Sequence, residues 1–252
     1  SWFNTFVYDV ITPDPRPVAW MVAGSAITAT LTTLLMATLS DRTRTRWGRR
    51  RPFILLGYIL WGLSTILFPT VAYIKTTSLA IMMVVIADSV MTFFGSAAND
   101  AAFNAWTADI ATTDTRGRVE GMLNMSVFIA QIVAMVAASM LIEQVGYFTF
   151  FYVLGGIVMA VGLVAGSFLK DALVSEPSAP RESFWAEFGD LFRLDTVRQN
   201  RKLFILLLFI MISSIGMQVS FPYLIIYLEN YIGVTKTEFS IIGGAVMVGS
   251  AV

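Results

Sequence analysis

The sequence contains no cysteine and no histidine. These absences exclude disulfides, thiolate nucleophiles, metal sites built from the two residues, and the side chain that titrates near neutral pH. Any proton chemistry must therefore use carboxylates. Charged residues are also scarce, at 13% of the 252 residues, whereas soluble domains have about 25%. With no nucleophile–base set, metal-binding cluster or phosphate-binding loop in the sequence, we expect no enzymatic activity, no cofactor, no bound metal and no nucleic-acid partner.

Long hydrophobic runs take up most of the remaining sequence, which is 56% hydrophobic with a mean hydropathy of +0.72. Several runs reach the roughly 20 residues that a spanning helix needs. They are apolar on all faces, unlike the alternating strands of a barrel. The sequence therefore predicts an all-α polytopic membrane protein. Complete spans are expected at about residues 18–39, 52–74, 79–110, 121–142, 147–169 and 203–228, and another begins near residue 235.

Six arginines and one aspartate lie in residues 41–52, between the first two of these spans. We call this segment the arginine turn. An excess of arginine in a short loop marks the cytoplasmic side of a membrane. With the turn inside, loops on its side hold 14 of the 17 basic residues, and the opposite loops hold only Arg16, Lys75 and Lys236. We therefore predict a plasma (inner) membrane protein with this turn in the cytoplasm.

The spans group into three segments. Residues 1–169 form a first helical bundle, residues 170–202 a polar cytoplasmic linker, and residues 203–252 the start of a second bundle. An amphipathic stretch at residues 184–193 has an apolar face that suits the membrane surface. Residues 1–8 also have a pattern similar to residues 219–227, six helices later and in the same orientation. Parallel halves of this kind are typical of major facilitator transporters.

Residues 41–49 read DRTRTRWGR and are followed by Arg50, Arg51 and Pro52. This segment resembles the loop between helices two and three of major facilitator transporters. It is most similar to the glycoside-pentoside-hexuronide:cation symporters, which are the melibiose-permease-like sugar carriers. Ala37 stands where that motif usually opens with glycine. The resemblance implies a major facilitator fold that is incomplete in this chain, with helices two to seven complete and helices one and eight partial.

The resemblance also implies a conformational latch at the arginine turn. Asp41 ends its helix, where the helix dipole disfavours an anion, and nearby arginines can compensate for it. Asp109 ends the fourth crossing at the same face. The residues assigned to the latch are Asp41, Arg42, Arg46, Gly48, Arg49, Arg50, Asp109 and Arg116. The alternative is a solvated loop whose positive charge only sets the orientation of the chain.

Two carboxylates, Asp88 and Asp100, lie within the long fourth segment. Asp100 is nine residues, or about 13 Å of helix, from Asp109, which puts it near mid-membrane. A carboxylate at that depth is costly and normally marks a cavity or an ion path. The resemblance places Asp100 where sugar carriers bind their substrate, as an acceptor for hydroxyls, a proton carrier, or both. The alternative is a structural carboxylate; Asp88, nearer the outside, is expected to be hydrated.

The second helix departs from the sodium-coupled carriers of this family. Ala29 and Thr33 stand where those carriers have aspartates. This favours a proton over sodium as the coupling ion, leaves Asp100 or Asp88 as the candidate proton carrier, and leaves uncoupled transport open. Further candidates for the solute site are Asn4, Asn104, Trp106, Asn124, Gln131 and Gln218. Each of these polar side chains has the alternative of an interhelical hydrogen bond worth about 1 kcal/mol.

These features predict a secondary transporter that moves a sugar or similar small polar solute by alternating access. The expected partners are the solute, a coupling cation (H⁺ or Na⁺) and the lipid bilayer, and the protein is expected to be a monomer. Two alternatives remain: a carrier of another solute or of a lipid, and a membrane receptor or scaffold without transport. Carboxylates that face a cavity would favour transport, whereas carboxylates that face packed helices would favour the scaffold.

Overall fold

The computed structural model describes residues 2–43, 45–112, 114–169 and 201–250 of the chain. The α-helices in these residues are α1 (Trp2–Phe6), α2 (Arg16–Arg42), α3 (Arg51–Leu67), α4 (Thr77–Gly95), α5 (Asn104–Ile110), α6 (Arg116–Phe168), α7 (Arg201–Tyr227) and α8 (Lys236–Ser250). Three π-helices (Val7–Ile11, Ser96–Phe103 and Leu228–Ile232) and a 3₁₀-helix (Phe68–Tyr73) extend them. No strand occurs within these ranges, and the predicted all-α class is confirmed.

The helix boundaries follow the prolines. Pro17 and Pro52 lie in the first turns of α2 and α3, where a missing backbone N–H costs nothing because it would have no intrahelical partner. Residues 12–15, which include Pro13 and Pro15, lie between helical segments. Both helices therefore begin close to the positions that the sequence predicts.

Four helical stretches in the described residues are long and apolar enough to cross a membrane: Arg16–Ser40, Arg51–Tyr73, Thr77–Ile110 and Arg116–Phe168. The last has 53 residues, about 80 Å of helix, whereas the hydrocarbon core is about 30 Å thick. Gly146 breaks it with φ 85° and ψ 172°, well outside the helical region. The stretch is therefore two crossings joined at Gly146, in agreement with the spans predicted on either side of this residue.

The helices pack through small residues and aromatic rings. A Cβ added to Gly62 of α3 would lie 2.5 Å from the carbonyl oxygen of Gly155 of α6, so the two backbones are in direct contact. Such close approach is typical of membrane helices. Phe6, Phe68 and Phe151 are fully buried, with ring centroids 5.1–5.7 Å apart. This aromatic cluster ties α1 to the 3₁₀-helix and to the second half of α6, at the end of the helices away from the arginine turn.

The chain divides into two compact units. The first contains Ser1–Ala172 together with Ile225–Val252, and α8 packs against α6 within it. The second is Leu173–Leu224, whose described part, residues 201–224, is most of α7. The boundaries of the three predicted segments remain a prediction. The amphipathic stretch predicted at residues 184–193 lies outside the described residues.

Candidate functional site

The arginine turn is a tight hydrogen-bonded loop between α2 and α3. Thr45 and Gly48 exchange backbone hydrogen bonds of 3.3 and 3.1 Å, and the Thr45 hydroxyl donates to the Gly48 carbonyl oxygen at 2.7 Å. Gly48 has φ 104°, which a residue with a side chain rarely adopts. Arg46 and Trp47 are exposed at the tip. Gly48 therefore closes the turn through its backbone, whereas Arg46 projects from it.

Asp109, at the end of α5, lies against two arginines at the start of α3. Its Oδ2 accepts hydrogen bonds from Arg49 Nη2 at 2.8 Å and from Arg50 Nε at 2.7 Å. Arg50 is 5% exposed and also donates from Nη1 to Ser40 Oγ at 3.0 Å. A buried guanidinium needs such partners because an unpaired charge is costly to desolvate. The structure thus brings together three of the predicted latch residues, while their function as a latch stays a prediction.

For three other latch candidates, the described part of the structure shows no side-chain contact that would support a latch. Asp41 and Arg42 form the last turn of α2, and their side chains lie outside the described part of the structure. Arg116 begins α6 and is exposed. The predicted pairing of Asp41 with an arginine is therefore neither supported nor opposed by the geometry.

Arg51 has a role that the sequence analysis did not assign. Its Nε donates to the carbonyl oxygen of Gly166, and its Nη2 donates to that of Ser167 at 2.9 Å. These carbonyls end α6, where backbone oxygens lack intrahelical partners and a cation is favoured by the helix dipole. Arg51 thus fastens the start of α3 to the end of α6. The sequence signal is its place in the arginine run, but that run does not identify the distant helix end.

Asp88 is buried between two membrane helices. It is 7% exposed, and its Oδ2 is hydrogen-bonded to the hydroxyl of Ser25 on α2. Gly24 allows this approach, because a Cβ there would already lie 3.3 Å from Ser89 Oγ on α4. The expectation that Asp88 is hydrated is therefore wrong. The packing of α2 over α4 removes the carboxylate from water, which its distance from the membrane centre does not predict.

Asp100 lies in a different environment, within the π-helix Ser96–Phe103. π-helical segments are rare and are often found at functional sites. Asp100 is exposed, and its Oδ1 accepts a 3.0 Å hydrogen bond from Asn99 Nδ2. Asn99 Oδ1 in turn accepts a 3.0 Å hydrogen bond from the hydroxyl of Tyr58 on α3. A short polar chain thus orients the Asp100 carboxylate while leaving it accessible.

The remaining solute-site candidates are spread over several helices. Asn4 is buried on α1, and Asn104 is exposed at the start of α5. Asn124 and Gln131 are exposed on α6, seven residues apart and therefore on one face of the helix. The ring of Trp106 stacks on that of Phe103, with centroids 5.8 Å apart. Gln218 belongs to α7, and its side chain lies outside the described part.

A polar cluster that the sequence analysis missed surrounds Lys236, the first residue of α8. Lys236 Nζ donates to Asp9 Oδ2 at 3.2 Å and to Glu229 Oε1. The Tyr147 hydroxyl donates to the same Asp9 oxygen at 2.6 Å, and Lys236 Nζ lies 5.6 Å from the centre of the Tyr147 ring. We call Asp9, Tyr147, Glu229 and Lys236 the Lys236 cluster. Asp9, Tyr147 and the Glu229–Lys236 pair are far apart in the sequence, so only charged residues near helix ends hint at the cluster.

The helices, their apolar surfaces and the intramembrane carboxylates define the class of the protein, a polytopic α-helical membrane protein. The family model described as Major Facilitator Superfamily matches residues 3–252. The chain therefore belongs to the major facilitator superfamily, whose members are multi-pass membrane transporters of small-molecule solutes. No curated protein and no solved structure matched the chain. The predicted superfamily is confirmed, and the melibiose-permease-like branch stays a prediction.

Proposed function

We propose that this transporter moves a sugar or a similar small polar solute by alternating access, coupled to a cation that is a proton rather than sodium. The sugar class is supported by the similarity of the arginine turn to the corresponding loop of the sugar:cation symporters. Coupling is supported above all by Asp88, a carboxylate enclosed between α2 and α4. We further propose that the protein acts as a monomer in the plasma (inner) membrane, with the arginine turn in the cytoplasm.

The hydrogen bonds of Ser25 suit an Asp88 that gains and loses a proton. The Ser25 hydroxyl has a single hydrogen but contacts two oxygens, Asp88 Oδ2 and the Met21 carbonyl oxygen at 2.8 Å. When Asp88 is ionised, Ser25 can donate to the carboxylate. When Asp88 is protonated, it can donate to Ser25 Oγ, which then donates to Met21. Both protonation states keep a hydrogen bond without separation of α2 from α4.

Sodium has less to bind at this position. The hydrogen bonds seen at this position join the Asp88 carboxylate to the Ser25 hydroxyl and that hydroxyl to the Met21 carbonyl oxygen. A dehydrated cation needs oxygens on several sides to replace its water shell. Ala29 offers no side-chain oxygen, and Thr33 offers only a hydroxyl. The proton is therefore the coupling ion that these residues favour.

Asp100 suits contact with the solute. Its carboxylate is exposed and oriented by Asn99 and Tyr58, and ionised carboxylates form strong hydrogen bonds with hydroxyl groups. Phe103 and Trp106, three and six residues later, supply apolar rings for the C–H faces of a sugar. The accessibility of the Asp100 carboxylate favours transport over a scaffold, in which carboxylates would face packed helices.

Uptake into proteoliposomes tests these two roles separately. The full-length protein, Asp88→Asn and Asp100→Asn are compared with a panel of sugars under an imposed proton or sodium gradient. Asp88→Asn should lose proton-driven accumulation but retain transport down a solute gradient, because the amide keeps the size of the side chain but cannot gain or lose a proton. Asp100→Asn should lower uptake in both modes by about 10- to 100-fold, the cost of one charged hydrogen bond.

Asp114→Asn is the matched control, since Asp114 is an exposed aspartate in the turn before α6; it should behave as the wild type. Accumulation by Asp88→Asn equal to that of the wild type would refute the proton role. Accumulation driven by sodium alone would refute the choice of ion, and failure to transport any sugar of the panel would refute the sugar class.

A further inference from the structure

The Lys236 cluster lies at the opposite end of the helices from the arginine turn. α2 begins at this end with Arg16 and reaches the arginine turn at Arg42. α6 begins at Arg116, on the side of the arginine turn, and has crossed by Gly146, next to Tyr147. The Phe6–Phe68–Phe151 cluster holds the end of α1, and hence Asp9, at the same level. The two charged groups therefore occupy opposite membrane faces.

The contacts at this end join residues that the sequence assigns to different bundles. Asp9 and Tyr147 belong to the first bundle, and Glu229 and Lys236 belong to the second. Glu143 of α6 adds a further link, because its Oε1 accepts a 2.8 Å hydrogen bond from the backbone N–H of Thr237 and its Oε2 accepts one from the Thr237 hydroxyl. Glu143 thus caps the N-terminus of α8 from a helix of the other bundle, where the dipole favours an anion.

The two helices stay in contact below this cap. Ser240, one turn further along α8, is fully buried and donates a 3.1 Å hydrogen bond to the carbonyl oxygen of Met135 on α6. A Cβ added to Gly243 would lie 2.4 Å from Met135 Cε. α8 therefore contacts α6 at Thr237, Ser240 and Gly243, and these contacts close the space between the two helices at this end.

We propose that the Glu143 cap and the Lys236 cluster form the gate that closes the membrane face opposite the arginine turn. Alternating access moves one bundle relative to the other. Opening this face must therefore break the contacts that join the two bundles here. The Glu143–Thr237 and Asp9–Lys236 contacts cross between the bundles and must separate. The Lys236–Glu229 ion pair lies within the second bundle and can persist, so Lys236 keeps a counter-charge in both states. This inference rests on the alternating access proposed above, but on neither the solute nor the coupling ion.

A single reporter cysteine tests the gate, because residues 1–252 contain no cysteine and any cysteine elsewhere in the full-length protein can be replaced by serine. Ser240→Cys places a thiol at a fully buried position beneath the gate. The full-length protein in sealed vesicles of each orientation is treated with a membrane-impermeant maleimide. Glu143→Gln or Asp9→Asn should speed labelling from the face opposite the arginine turn about tenfold, the shift that about 1.4 kcal/mol in favour of the open state produces.

Glu238→Gln is the matched control. Glu238 also accepts a hydrogen bond at the start of α8, from the backbone N–H of Thr235 at 2.9 Å, but it lies in α8 itself and does not join the bundles. Glu238→Gln should leave the labelling rate unchanged. A rise equal to that of Glu143→Gln would refute the gate, as would unchanged labelling in both Glu143→Gln and Asp9→Asn.

A second buried position separates opening from unfolding. Thr65 of α3 is 1% exposed and lies outside the gate, so Thr65→Cys should react slowly in every gate variant. Equal acceleration at Thr65→Cys and Ser240→Cys would mean general loosening and would overturn the proposal. If Ser240→Cys itself lowers the thermal stability, Met135→Cys reports the same contact from α6 and must show the same acceleration.

Discussion

At the scale of single residues, Arg50 is the most buried arginine among those of the arginine turn whose side chains the structure describes. Its side chain is 6% exposed, whereas that of its partner Asp109 is 33% exposed. Asp109→Asn removes the negative charge and leaves the buried guanidinium with weaker acceptors. We expect a loss of about 1–3 kcal/mol in unfolding free energy, at the lower end because Asp109 is partly solvated. Thermal unfolding in detergent measures this loss.

Arg46→Gln is the control for this prediction, because Arg46 carries the same charge in the same turn but is exposed. It should change the unfolding temperature little. An equal effect of the two substitutions would mean that the turn acts only through its total charge.

Residue contacts were predictable only where the chain order already restricts them. The family resemblance implies that Asp109 and the arginines lie together, and the order of the spans puts them at the same membrane face. The Ser25 partner of Asp88 was not predictable, since it depends on the rotation of α2 against α4. Lys236 was counted only as a basic residue of an opposite loop, because the sequence does not show that Asp9 and Glu229 converge on it. The sequence pattern indicates how deep a residue lies in the membrane, but it does not show how one helix is rotated about its axis against another.

At the scale of elements, Gly146 decides that α6 is two crossings. Its φ of 85° falls in the left-handed region, and a Cβ there would meet no atom within 4 Å. Any penalty for Gly146→Ala is therefore conformational rather than steric. We expect a loss of about 1–2 kcal/mol in unfolding free energy, measured by denaturant or thermal unfolding in detergent micelles.

Gly156→Ala provides the comparison within the same helix. Gly156 also has open space around its Cβ position but keeps helical backbone angles. Alanine there should be neutral or stabilising by up to about 1 kcal/mol, because glycine is a weaker helix former. Destabilisation by both substitutions to the same extent would contradict a special role for the Gly146 backbone.

The elements themselves were largely predictable, because long apolar runs end at prolines, charges and glycines. The sequence located the break at Val145–Gly146, where the backbone of Gly146 leaves the helical conformation. The π-helix at Ser96–Phe103 was not predicted, since it interrupts no apolar run and carries no proline. It matters for function because it sets the direction in which Asp100 and Asn99 project from the fourth crossing.

At the scale of the whole molecule, the distribution of charge predicts which face is cytoplasmic. Trp47 lies at the exposed tip of the arginine turn, and Lys75 lies in the exposed turn at the opposite end of α3. Because arginine-rich loops stay on the cytoplasmic side, Lys75→Cys should react with an impermeant maleimide on intact cells. Trp47→Cys should react only after the membrane is permeabilised.

A third position makes this test independent of the arginine turn. Asp114 is exposed in the turn before α6, two crossings after Trp47, so Asp114→Cys must behave like Trp47→Cys if each predicted span crosses once. Labelling of Trp47→Cys and Asp114→Cys on intact cells, with Lys75→Cys protected, would invert the topology but keep the helix count. Opposite results for Trp47→Cys and Asp114→Cys would break the count itself. The test thus distinguishes a wrong number of crossings from a wrong orientation. If the orientation alone were inverted, the Lys236 gate would face the cytoplasm.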